Sequence, residues 1–426
     1  MTDLVSPSGI RTGAPAAAYG GPLRGRAVPG VLRRAAPALL VYAGVRALGV
    51  VVLAVWGLSD GKDPLTLLSA RWDSLWYARI AEHGYGYTLH LSGGRVHSDL
   101  AFFPLLPSLE RGLSAVLPLS AGEAGLVVSA VASLGAAGAL FAIGELCHGR
   151  RAGIALAALW AALPVGVVQS MAYSESLFTA LAAWSVYCVL TGRWVWAGSL
   201  AALAGLTRPV GAAAVAAVWI TAAVLLWRGA VAYVAPPRGR DQPPTVPSRH
   251  TAQGSGAKPR GRQLRRMLLG VTLAPLGWLG YVAWVGVRTG SVTGYLDVQG
   301  GWGNGFDGGL AFGRFVGGLL GGPGFAGGLA LLAGVGLVLW LYAAGVRRRQ
   351  PLPLLVYGGV VLLLALTAKG YFGSKPRLML PAFPLLLPLA AAVARLRTVR
   401  AAATVGAVAL ASAVYGAFWL HGSGPP

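Results

Sequence analysis

Two carboxylates and three cations stand out in this chain by their neighbours: Asp73 in Arg71-Trp72-Asp73-Ser74, Glu175 in Tyr173-Ser174-Glu175-Ser176, Arg208 in Thr207-Arg208-Pro209, and Lys375 and Arg377 on either side of Pro376. A carboxylate can take the proton of an acceptor hydroxyl. Guanidinium groups grip phosphate through two parallel hydrogen bonds, and fixed cations stabilise a departing phosphate. The set fits transfer from a lipid-linked phosphate donor, provided that the fold brings these distant residues to one place.

Each motif also has a plainer reading. In Arg71 to Tyr85 the residues Trp72, Leu75, Trp76, Arg79, Ile80 and His83 recur at helical spacing. Trp and Tyr favour the headgroup region, so a helix lying on the outer interface is expected. Asp73 then sits about 100° round from Trp72 and can face the protein, or it is simply an acid in a helix first turn favoured by the dipole. Glu175 has the same two readings. Arg208 separates two short apolar helices, where an unpaired charge is costly and is usually functional. Lys369, Lys375 and Arg377 flank a short loop where cations are not expected; they suit an anionic ligand or a lipid headgroup. Ala101 to Pro107, with its aromatic pair and two prolines, reads as a re-entrant segment or a membrane-entry anchor.

The elements that must position these residues are membrane helices. Of 426 residues, 55% are hydrophobic and only 11% charged, against about 25% charged in soluble domains. Mean hydropathy is +0.64. About eleven apolar segments are expected, near 35–58, 122–146, 152–171, 175–191, 194–207, 210–227, 267–288, 323–346, 351–368, 378–394 and 401–420. The fold class is all-α and polytopic, with interfacial helices in the first external loop. Basic residues gather before the first helix, at Arg150-Arg151 and Arg193, from Arg228 to Arg266, at Arg347 to Arg349 and at Arg395 to Arg400. This bias puts the N-terminus in the cytoplasm. It leaves Asp60, Asp63, Asp73, Glu82, Asp99, Glu110, Glu123, Glu175, Asp297 and Asp307 outside, on the same side as Arg208, Lys375 and Arg377.

Five regions follow. Residues 1–34 form a disordered cytoplasmic tail without a signal-peptide layout, and 35–228 an N-terminal membrane region whose external loop 59–120 carries the chemistry. Residues 229–265 form a disordered basic linker able to touch anionic headgroups, 266–420 a C-terminal membrane region, and 421–426 a tail. The net charge of +22 is spread between apolar runs, so nucleic acid is not an expected partner. Cys147 and Cys188 fall near cytoplasmic helix ends, which argues against a disulfide. No zinc-like spacing or phosphate-loop pattern occurs. A lipid-linked sugar transporter or flippase and a non-catalytic membrane scaffold remain alternatives. A transporter tends to show inverted repeats and mid-membrane polar groups, whereas here the polar residues cluster towards one face.

The ordered motifs resemble the PIG-V-like mannosyltransferases. They are Arg71-Trp72-Asp73-Ser74 with Ile80-Ala81-Glu82-His83-Gly84-Tyr85, Phe102-Phe103-Pro104-Leu105-Leu106-Pro107, Tyr173-Ser174-Glu175-Ser176-Leu177-Phe178, Leu206-Thr207-Arg208-Pro209, and Pro376-Arg377-Leu378 with Pro381-Ala382-Phe383-Pro384. The resemblance spans residues 71 to 384. It implies a GT-C-type glycosyltransferase that inverts the anomeric centre, with polyprenyl-phosphate mannose as donor and the active site on the extracytoplasmic face of the cell membrane. It makes Asp73 the base, Glu175 a supporting acid, and Arg208 and Arg377 contacts to the donor phosphate. Arg71, Trp72, Glu82, His83, Tyr173 and Lys375 are further substrate-binding candidates. The acceptor would be a glycan, glycolipid or protein. GT-C motifs often carry two adjacent acids; Ser74 follows Asp73 here, which argues against a divalent metal. Eukaryotic members act on a glycolipid anchor, whereas the Gly-, Ala- and Arg-rich composition suggests a GC-rich bacterial genome.

Overall fold

The computed structural model describes residues 28–234, 258–422 and 424. Most of the expected tail and linker, 1–27 and 235–257, lies outside the described residues. The helices on either side reach into the expected tail and linker, since α1 (Val28–Ser59) begins at Val28, α9 (Ala212–Val234) runs to Val234 and α10 (Lys258–Leu273) starts at Lys258.

The chain is an all-α, polytopic membrane protein. Among the described residues, six helical stretches are long and apolar enough to cross a membrane: Arg33–Ser59, Ala121–His148, Pro209–Arg228, Gly261–Thr289, Phe325–Arg347 and Thr398–His421. These match six of the eleven expected segments. The other five are shorter or broken. Helix α6 (Arg150–Ala161) stops before Pro164 and is followed by a 3-10 turn, Gly166–Ser170. Helices α7 (Glu175–Leu190), α8 (Trp194–Gly205) and α15 (Leu352–Thr367) hold 16, 12 and 16 residues, about 24, 18 and 24 Å at ~1.5 Å per residue. The last segment is a pair, Phe372–Leu378 and Phe383–Val393, bent by 72°. Counting that pair as one span gives seven. Apolar runs alone do not register these breaks, because a single proline or turn residue stops a helix but barely lowers the mean hydropathy of a membrane-length window.

Several helices approach one another through glycines. Gly144 lies so close to α6 that a Cβ there would sit 2.7 Å from Gly153 Cα, and a Cβ on Gly198 would sit 2.1 Å from the Gly270 carbonyl. Such contact between backbones lets helices associate in lipid, where burying apolar surface offers little gain.

The long loop between α1 and α5 (Ala121–His148) is built of short helices and a hairpin. Asp63 caps α2 (Pro64–Ser69) through the amides of Leu65 and Thr66. The helix expected within Arg71 to Tyr85 is α3 (Asp73–His83), and Ser74, Tyr77, Ile80 and Ala81 on it are buried in the protein. A hairpin follows, with Thr88 paired to Ser98 and His90 to Val96. Helix α4 (Leu105–Val116) then leads to α5 (Ala121–His148), which opens on a Ser120–Glu123 capping box. Phe102 and Phe103 are buried among aromatic side chains, Phe103 with its centroid 4.4 Å from that of Tyr281. The Ala101–Pro107 segment is therefore packed into the protein. The Gly-rich stretch 289–322 holds α12 (Gly294–Gly301) and α13 (Leu310–Leu320), and Gly305-Phe306 pairs with Ala368-Lys369.

Candidate functional site

Four chain segments meet at one cluster of charge. Asp73 is the first residue of α3 and Glu175 the first of α7. Arg208 lies between α8 and a 3-10 turn at Pro209–Gly211. Arg377 belongs to a one-turn helix, Lys375–Leu378, the first arm of the bent pair. Each acid heads a helix, where the dipole favours negative charge. Each arginine sits beside a proline in the first turn of a short helical segment, so its side chain enters the cluster from a helix end.

Arg377 bridges the two acids. Its Nη2 lies 2.9 Å from Asp73 Oδ2, and its Nε lies 3.3 Å from Glu175 Oε1. Arg208 Nη1 lies 2.5 Å from the same Glu175 oxygen and donates to Ser174 Oγ at 3.1 Å. Tyr77 and Ser174 share a hydrogen bond of 2.8 Å. The Arg377 guanidinium stands 5.1 Å from the Tyr173 ring centroid, and the Asp73 amide donates to the Tyr173 hydroxyl at 3.4 Å. Burial pushes both phenols, Tyr77 and Tyr173, above their ordinary range, and the Asp73 charge adds to the rise. Both therefore act as neutral hydrogen-bonding groups.

The cluster balances two negative charges against two positive ones, yet its hydrogen bonding is incomplete. Arg377 Nη1 and Glu175 Oε2 are buried without a hydrogen-bond partner. Arg377 Nε meets Glu175 at ion-pair distance without hydrogen-bond geometry. Buried polar groups are normally satisfied, so these atoms are exceptions within the cluster. Side-chain exposure is 1% for Glu175, 10% for Arg377, 11% for Arg208 and 23% for Asp73. Asp73 is thus the most exposed member of the cluster. Among the described residues, no group of three or more His, Cys, Asp or Glu side chains is placed to hold a metal ion.

The backbone entering this site is strained. Trp72, directly before Asp73, has φ 51° and ψ −117°. A bulky residue at positive φ is rare and costs of order 1–3 kcal/mol. Arg71 holds it there: its guanidinium lies 4.1 Å from the Trp72 ring centroid and donates to the carbonyls of Leu420 and Gly422 at the end of α18 (Thr398–His421).

The remaining sequence candidates fall elsewhere. Glu82 and His83 lie at the far end of α3, more than half exposed and 3.8 Å from each other. Lys375 turns away from Asp73; its Nζ donates to the carbonyls of Ala365 and Ala368 at 2.6 and 2.8 Å and faces the Phe312 ring. Tyr77 and Ser174 join the cluster without having been singled out individually. Tyr77 was findable, since it lies four residues after Asp73 and so shares its helix face.

No protein-family model matches the chain, and no curated protein resembles it significantly in sequence. Solved structures that resemble it include ArnT from Cupriavidus metallidurans in the apo state, at 16% identity and TM-score 0.48, covering 83% of this chain and 60% of ArnT. ArnT bound to undecaprenyl phosphate gives 15%, 0.48, 85% and 62%. The Archaeoglobus fulgidus oligosaccharyltransferase complex with Zn and sulfate gives 14%, 0.44, 90% and 53%. The chain spans about 60% of the length of ArnT. Likeness at this level is too slight to carry an argument about chemistry, which rests on the residues themselves.

Proposed function

We propose that the chain is a GT-C-type glycosyltransferase, PIG-V-like, moving a sugar, mannose by motif resemblance, from a polyprenyl-phosphate donor to an acceptor hydroxyl on the extracytoplasmic face. The observation that carries this reading is Arg377 shared between Asp73 and Glu175, with Arg208 on the far side of Glu175. A donor phosphate can use the buried Nη1 of Arg377 that has no partner here. It would draw Arg377 from Asp73 and leave that carboxylate free to act as base.

The step is a single displacement. Asp73 takes the proton from the acceptor hydroxyl, whose oxygen forms a bond to the anomeric carbon. The bond from that carbon to the phosphate oxygen breaks from the opposite face, so the configuration inverts. Polyprenyl phosphate leaves with the electron pair, and Arg377 and Arg208 stabilise its charge. Asp73 returns its proton to water. Glu175 holds both guanidiniums in place, and Tyr77 and Ser174 support Arg208.

The test is incubation of the purified protein with polyprenyl-phosphate mannose and glycan, glycolipid or peptide acceptors. The reading predicts free polyprenyl phosphate in equal amount to the inverted glycoside. Sugar-lipid crossing a vesicle membrane intact would instead indicate a transporter. Neither event, with a stable protein partner co-purifying, would indicate a scaffold.

A further inference from the structure

Arg46 lies at the centre of the Arg33–Ser59 span, about 20 Å from either end at ~1.5 Å per residue. A guanidinium at such depth is costly unless it has a task. No carboxylate pairs with it among the described residues; its partners are the break between α6 and α7. Arg46 Nη1 donates to the Ala161 carbonyl at 3.1 Å, and Nε donates to Ser170 Oγ at 3.1 Å. Ala161 is the last residue of α6. Arg46 thus places a cation at a helix C-terminus and satisfies a carbonyl that the helix leaves unpaired.

Neighbouring side chains serve the same break. Tyr42, one turn before Arg46, donates to Gln169 Oε1 at 2.9 Å, and Gln169 Nε2 donates to the Trp160 carbonyl at 2.8 Å. From α18, Ser412 Oγ donates to the Leu163 carbonyl at 2.5 Å. In hydrocarbon, broken backbone survives only where protein groups satisfy it. The break then feeds the candidate site directly. Ser170 is five residues before Glu175, and Ser176 Oγ donates back to the Gln169 carbonyl at 3.3 Å. The packing leaves no slack, since a Cβ on Gly166 would lie 2.7 Å from the Ala161 carbonyl and 2.8 Å from Arg46 Nη1.

We propose that Arg46 is a positioning residue: by fixing the α6–α7 break in mid-membrane it sets where Glu175 meets Arg208 and Arg377. The assignment rests on the transferase reading for its kinetic consequence, but not for its structural one. In purified protein, Arg46→Met should lower kcat at least tenfold while the donor KM stays within twofold, and Arg46→Lys, which keeps the charge, should recover part of the loss. A kcat equal to wild type in Arg46→Met, or a loss confined to KM, would overturn it. Should Arg46→Met not fold, Arg46→Lys and Tyr42→Phe decide, and unchanged kcat in both overturns it. A readout independent of turnover is the electron cryo-microscopy structure of Arg46→Met, or of Arg46→Lys if needed. Arg208 and Glu175 should part beyond 4 Å; an unmoved pair contradicts the assignment even if no sugar transfer is ever found.

Discussion

At the scale of single residues, the cluster makes unequal demands on its members. Arg377 touches both acids, so Arg377→Ala removes the proposed phosphate contact and also leaves Glu175 with less compensation in a buried place. Breaking one side of a buried pair costs about 3–5 kcal/mol. The expected outcome is weaker donor binding by tenfold or more, about 1.4 kcal/mol, together with a lower melting temperature. Calorimetric titration with polyprenyl-phosphate mannose and a thermal melt measure the two effects, and unchanged donor affinity would reject the phosphate role. Lys375→Met should behave differently. It loses hydrogen bonds to the Ala365 and Ala368 carbonyls, so it should destabilise the 368–378 segment before it alters chemistry. The meeting of Asp73, Glu175, Arg208 and Arg377 was legible in the sequence because each is a charge at the edge of an apolar run and the basic bias put them on one side. The direction of Lys375 was not legible. Two residues separate by about 200° in a helical turn, and hydropathy carries no signal for which cation faces the acids.

At the scale of elements, Glu110 governs how α4 meets α5. It is fully buried, and neither of its oxygens has a hydrogen-bond partner. Burial first, and the nearby Glu82 charge second, push its carboxyl from an ordinary 4.5 up to about 9. It is therefore protonated in the folded protein at neutral pH and ionised in the unfolded one. The stability it confers is complete below about 4.5 and is lost as pH rises towards about 9, at up to ~1.4 kcal/mol per pH unit. Glu110→Gln should flatten the melting-temperature profile between those values and raise it at pH 8. A variant as pH-sensitive as wild type would remove Glu110 from that role. The contact is tight, because a Cβ on Gly125 would lie 2.5 Å from Glu110 Oε1. Gly125→Ala should lower the melting temperature in consequence. Helix α3 was readable from its aromatic spacing. The hairpin 88–98 and helices α12 and α13 were not, because short polar strands and Gly-rich helices lack a strong hydrophobic period.

At the scale of the whole molecule, the apolar pattern conveyed the class of fold better than the number of full-length crossings. Among the described residues, six helices, or seven with the bent pair, have membrane length. The shorter ones, α7 and α8, meet around the site, where helix ends rather than helix middles are needed to present Glu175 and Arg208. The orientation expected from the basic residues makes its own prediction. In a background lacking Cys147 and Cys188, a cysteine placed at the exposed hairpin residue Leu89 should react with a membrane-impermeant maleimide in intact cells. One placed at Arg349 should react only after the cells are opened, and the reverse pattern would put the site on the cytoplasmic face.

The central claim is that Asp73, held 2.9 Å from Arg377, is the base for a transfer whose leaving group is a lipid phosphate. The most direct measurement is the release of polyprenyl phosphate by wild type and by Asp73→Asn, in equal folded amounts, with saturating donor and acceptor. Removing a general base costs about 10²–10⁴-fold, so the variant should retain at most about one hundredth of the wild-type rate while still binding donor. A rate within a factor of two of wild type would show that the proton goes elsewhere.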